Sequence, residues 1–173
     1  MRRATVLALL AAAAALASSA RDVEVPNLAG TTQSVIELAN GFRHGEHRRT
    51  LVTSEMLTAT AREFAAYMAR TDRFDHEADG REPAERAREH GYSYCVLSEN
   101  IAFEYSSRGF TTEELARRFV EGWKHSPGHR ANLLDNEVVE TGAAVAHSAR
   151  SGRYYAVQMF GRPGCARGRP KVY

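Results

Sequence analysis

The run Trp123-Lys124-His125-Ser126-Pro127-Gly128-His129-Arg130-Ala131-Asn132 decides how this chain folds. Trp123 closes a stripe with Leu115 and Phe119 at i, i+4 and i+8, the spacing that puts apolar side chains on one face of an α-helix. Upstream, Thr111-Thr112-Glu113-Glu114 reads as a capping box, with Thr111 as cap and Glu114 reaching back. Downstream, Ser126 caps a second, short helix with Pro127 at its first position, where a missing N–H costs nothing. His129 then falls in the first turn of that helix. The positive end of the helix dipole disfavours imidazolium there and leaves a ring lone pair available, which favours His129 over His125 as a functional group.

Working outward, Thr32 is expected to cap a first helix with Val35, Leu38, Ala39 and Phe42 on its inner face, ending in the Arg- and His-rich stretch Arg43 to Arg49. Ser54 caps a second, with Leu57, Ala61, Phe64, Ala65 and Met68 as core. Asp79-Gly80 marks a turn, and a third helix opens near Pro83 and stops at Gly91, with His90 in its last turn where the dipole favours it. Part of Tyr92 to Phe103 reads as a strand, with Glu99-Asn100 inside an apolar segment. Val138 to Ala146 and Tyr154 to Phe160, joined across Ser151-Gly152, suit an antiparallel hairpin. Helices first and a small sheet completed late predict an α+β layered domain.

The first twenty residues read as a cleavable signal peptide: Arg2 and Arg3, an apolar stretch from Val6 to Ala17, and small residues Ser18, Ser19 and Ala20. The stretch is shorter than the roughly 20 apolar residues a bilayer core demands. Cleavage lowers Lys plus Arg from 23 to 21, equal to the 21 Asp plus Glu, and the basic excess disappears. That argues against nucleic acid as a partner, because the short basic stretch Arg162 to Lys171 reads as a solvated tail. The expected division is a signal peptide over 1–20, a linker over 21–30, one domain over 31–163 and a tail over 164–173. The domain is expected to be secreted or periplasmic, without a membrane span after cleavage, and monomeric. In an oxidising compartment Cys95 and Cys165 are expected to pair, closing a loop of about 70 residues.

Several familiar chemistries are excluded. His76-Glu77 begins the H-E-x-x-H zinc pattern, but its fifth position is Gly80. Asp75-x-Glu77-x-Asp79-Gly80 begins like a calcium loop, yet Arg86 stands where a bidentate acid is required. No nucleophile elbow or phosphate loop is present.

Three segments carry more polar groups than packing needs: Phe74-Asp75-His76-Glu77, Ser98-Glu99-Asn100-Ile101-Ala102 and the Trp123 to Asn132 run. Together with Asn40 and Arg43 on the first helix, Leu51, and Gln158-Met159-Phe160-Gly161, they resemble the signature of the CAP superfamily, or SCP domain, of cysteine-rich secretory, antigen 5 and pathogenesis-related proteins, in its short bacterial branch. The resemblance implies a three-layer α-β-α sandwich with a small antiparallel sheet and an open cleft lined by two histidines and one or two glutamates. By position these are His76, His129 and Glu99. Ser126 stands where many members have the second glutamate.

Two neutral imidazoles and one carboxylate are a plausible three-ligand set for a divalent metal such as zinc. Glu99 is alternatively a base, and a carboxylate inside an apolar segment needs a partner or a cavity. A structural reading also stands, with His129 supporting the Trp123 turn and His76 an ordinary turn histidine. The function implied is a cleft that binds a divalent metal, a small apolar ligand or a protein or envelope partner, without a general catalytic activity. The alternatives are a metal-dependent hydrolase and a cell-envelope adhesive module with a vestigial cleft.

Overall fold

The computed structural model describes residues 25–164 and 171–173. The signal peptide and Cys165, hence its pairing with Cys95, lie outside the described residues.

The elements run α1 (Leu28–Gly45), β1 (Val52–Thr53), α2 (Glu55–Thr71), α3 (Pro83–Glu89), β2 (Tyr94–Glu104), α4 (Thr112–His125), α5 (Pro127–Leu134), β3 (Glu140–His147), β4 (Tyr154–Pro163) and β5 (Lys171–Val172). The strands form one sheet in the order β1-β3-β4-β2-β5. Its centre, β3-β4-β2, is antiparallel as expected, but β1 joins β3 and β5 joins β2 in parallel, so the sheet is mixed.

Alternation along the central strands sorts the core into two layers, because successive side chains leave a strand on opposite faces. Leu97, Ile101, Ala144, Val157 and Met159 pack with Leu57, Phe64 and Met68 of α2 and Ala84 and Ala87 of α3. Val96, Ala143, Ala156 and Phe160 pack on the other side with Val35 and Ala39 of α1, Leu115, Phe119 and Trp123 of α4, and Leu133 of α5. The result is the α-β-α sandwich. Gly142 shows how tightly the layers meet: a Cβ there would lie 2.2 Å from the Thr58 amide nitrogen of α2.

Most caps fall where the residues predict them. The Ser54 and Thr111 hydroxyls accept from the amides of Leu57 and Glu114, and Pro127 opens α5. The Glu114 carboxylate lies 3.9 Å from Arg118 rather than closing the capping box. The cap of α1 is Asn27 and not Thr32: its side chain accepts from the Gly30 amide, its own amide donates to Thr112 Oγ1, and Thr32 turns its hydroxyl back to the Leu28 carbonyl. The helix therefore starts inside the stretch expected to be linker. Its buried face is Val35, Ile36, Ala39 and Arg43, while Leu38 is exposed. Within the stretch expected to be tail, Lys171 and Val172 are strand residues.

Candidate functional site

Two segments from opposite layers meet beside β2, the turn after α2 that carries His76 and the start of α5 that carries His129. Between them lies a cleft of about 760 Å³ lined among others by His76, Glu77, Glu82, Glu99, Ser126, His129 and Asn132. The structure thus brings together the three residues the sequence singles out.

The His76 wall is built on buried charge. Glu99 leaves β2 toward α3, where its carboxylate Oε1 sits 2.8 Å from His76 Nδ1 and its Oε2 accepts from Arg86 Nη2 at 3.0 Å. The Glu99 side chain is 1% exposed and that of Arg86 0%, whereas His76 keeps 47% of its side chain open. A buried carboxylate is tolerable only when paired and hydrogen-bonded, and Arg86 supplies the pairing. The same guanidinium donates to Asp79 Oδ1 and to the backbone carbonyls of Arg81 and His76, and lies 3.5 Å from the centre of the Phe64 ring. It pins the turn as well as the acid. The hydrogen bond to Glu99 raises the His76 pKa above its usual value, against the opposing effect of burial.

The His129 wall is held through the backbone. Asn100 Nδ2 donates to the His129 carbonyl at 3.1 Å, and Asn132 Nδ2 donates to Asn100 Oδ1 at 2.9 Å and to the Glu99 carbonyl at 3.3 Å. Trp123 Nε1 donates to the Ile101 carbonyl at 3.1 Å. Asn132 and Trp123 therefore satisfy alternate carbonyls along β2, which ties α4 and α5 to the strand. Burial, followed by the charge of His76, lowers the His129 pKa. His125, by contrast, is 79% exposed and points its Nδ1 to the Glu121 carbonyl.

The zinc set anticipated is His76, Glu99 and His129. Both imidazoles line the cleft, but among the described residues no group of three His, Cys, Asp or Glu side chains could hold a metal ion. Both Glu99 oxygens are engaged by His76 and Arg86. The carboxylate stands behind His76 Nδ1, the position from which an outer partner orients an imidazole and leaves Nε2 to face a ligand.

Sequence reasoning missed Arg86, which sits among Arg81 and Arg88 and reads as one more solvated charge of α3. It also missed Val172 and Tyr173, which line the cleft. The signal for Arg86 was Glu99 itself, a carboxylate in an apolar strand that demands a cation.

The chain is 29% identical over 131 residues to the uncharacterized protein YkwD of Bacillus subtilis, across 75% of this chain and 47% of that protein. It spans about half the length of the curated relative it matches. The fold is shared with an outer surface protein of Borrelia burgdorferi, at TM-score 0.67, 18% identity, 78% of this chain and 93% of that one. It is shared too with NaASP2 solved with Zn2+, at TM-score 0.58, 18% identity, and 82% and 84% coverage. The model of the CAP family, the cysteine-rich secretory protein family, matches residues 36–160, and the chain belongs to that family.

Proposed function

We propose that this CAP domain is an extracytoplasmic binding protein whose cleft between His76 and His129 takes a small, mainly apolar ligand with a polar head. The observation that carries this reading is the Arg86–Glu99–His76 chain, in which two buried, oppositely charged groups serve to aim a half-exposed imidazole into the cleft. Glu99 orients its histidine and favours the protonated form of the ring. It acts on the cleft through His76, which makes it a positioning group rather than a base or a metal ligand.

With its pKa raised, His76 offers an N–H donor; with its pKa lowered, His129 offers a neutral ring. The two imidazoles together suit a carboxyl or hydroxyl head, while Ala131, Pro83 and Val172 give the walls apolar surface. The export of the chain rests on its basic, apolar and small-residue leader. Among the described residues no helix is long and apolar enough to cross a membrane.

A second reading, zinc, is favoured by the placement of Glu99 behind His76 and by the structural likeness to NaASP2 solved with Zn2+. The fit is incomplete, because the protein offers the ion two imidazoles and Ser126 stands where a further acid would help.

Thermal unfolding of the wild type, His76→Ala and His129→Ala with zinc and with chelator separates the readings. Zinc that raises the melting temperature of the wild type alone supports the metal. Mass spectrometry of protein purified from its native compartment tests the apolar ligand, which should accompany the wild type and be lost from the double variant. If neither zinc nor any small molecule distinguishes these proteins, the cleft is vestigial and a surface-only, adhesive role takes its place.

A further inference from the structure

The cleft has a wall that the family segments do not supply. Val172 and Tyr173 line it together with His76 and His129. Val172 lies on β5, which pairs in parallel with β2 at Val96↔Lys171 and Leu97↔Val172, and Tyr173 follows it, its amide donating to the Leu97 carbonyl at 3.0 Å. Beyond Leu97 the next carbonyls on this side of β2, those of Glu99 and Ile101, are already taken by Asn132 and Trp123. The strand therefore has a short place prepared for it, which ends at the cleft.

Its hold is slight. Among the described residues Lys171 Nζ pairs with Glu137, at 3.1 Å and 3.3 Å from the two carboxylate oxygens, and both partners are about half exposed. Exposed pairs contribute little. Val172 stays 47% exposed and Tyr173 61%, so little apolar surface is buried to offset the ordering of these residues. A two-residue strand with few buried contacts belongs to the parts of a fold that open locally.

We propose that Lys171–Tyr173 is the resident occupant of the cleft: a displaceable strand, added to the edge of β2, that shields His76 and His129 and that an incoming ligand must move. The pattern is strand addition, with main-chain bonds holding the segment and its side chains filling the pocket. This inference rests on the reading that the cleft between the two histidines is the binding site.

Acylation of individual imidazoles by diethyl pyrocarbonate, followed by mass spectrometry on the full chain, tests it without a metal or ligand. Glu137→Lys removes the ion pair, Tyr173→Ala removes the ring, and the pair Glu137→Lys with Lys171→Glu restores the attraction with reversed signs. Amide exchange at Tyr173 reports whether the strand is docked. Release in Glu137→Lys or loss of the ring in Tyr173→Ala should speed acylation of His76 and His129 about threefold or more relative to exposed His44 and His47, and the charge swap should return the rates to wild type.

An unprotected Tyr173 amide in the wild type, or unchanged His76 and His129 rates in both single variants, overturns the proposal. Faster acylation together with melting curves insensitive to zinc removes the zinc reading and leaves this inference standing. Zinc-dependent melting with unchanged acylation does the reverse.

Discussion

The two walls of the cleft hold their histidines by different physics. On one side His76 is held by its side chain, through Glu99 to an Arg86 guanidinium that is itself out of solvent. On the other, His129 is positioned by its backbone carbonyl, which Asn100 fixes, and by the helix to which it belongs. The first arrangement couples position to charge; the second sets position and leaves the ring to its surroundings. One imidazole is consequently pushed toward protonation and the other away from it. The asymmetry lies in the residues behind the histidines and not in the histidines themselves.

If this contrast is right, the charged wall should break hardest. Arg86→Met leaves the Glu99 carboxylate buried without its cation, a change that costs about 3–5 kcal/mol. In a domain of this size that is a fall in melting temperature of roughly 10 °C or more, read by calorimetry or circular dichroism. Pairing Arg86→Met with Glu99→Gln should recover part of it, since a neutral amide needs no counter-charge. A loss under about 1 kcal/mol for Arg86→Met would show that the carboxylate finds water or another partner.

The neutral wall should yield less. Asn100→Ala withdraws the donor to the His129 carbonyl and leaves Asn132 without one of its acceptors, for roughly 1–3 kcal/mol in urea unfolding. Its sharper signature is local: amide exchange should quicken at the start of α5 while the turn around His76 keeps its protection. Equal loosening of both walls would contradict their independence.

The same contrast explains what the sequence makes legible. Periodic features were readable: the stripes of α2 and α4, the Ser126-Pro127 restart and the hairpin about Gly152 each follow from local spacing and turn chemistry. His129 could be preferred over His125 from its place in a helix, and Glu99 from its apolar setting. Arg86 could not, because nothing within α3 separates it from Arg88; only the strand arriving 13 residues later, with Glu99, gives it a partner. Similarly, Asn27 caps α1 through the nearby Gly30 amide, but its own amide is held by Thr112, a contact 85 residues away in sequence. Strands β1 and β5, two residues each, are too short to show alternation at all and exist through the edges they join. What escaped the sequence reading is what depends on partners distant along the chain.

The smallest expected effect bears most directly on the asymmetry. Glu99→Gln keeps an acceptor near His76 Nδ1 but removes the negative charge, so the raised His76 pKa should fall toward the ordinary value of about 6.5, followed by NMR titration of the ring protons. His129, lowered in part by the charge of His76, should move slightly up. The signs carry into stability. Because His76 binds its proton more tightly when folded, its contribution is complete below the unfolded pKa of about 6.5 and is lost as pH rises through the folded pKa. His129 binds its proton less tightly when folded, so its contribution is present above about 6.5 and is lost as pH falls through its folded pKa. In the wild type these slopes oppose one another near neutrality. Glu99→Gln removes the first and keeps the second, so between about pH 5.5 and 7.5 the variant should lose more stability on acidification than the wild type does. The comparison is of slopes and not of levels, which separates it from the general destabilisation that any change at a buried site brings. Parallel pH profiles for the two proteins would mean that Glu99 places His76 without setting its charge.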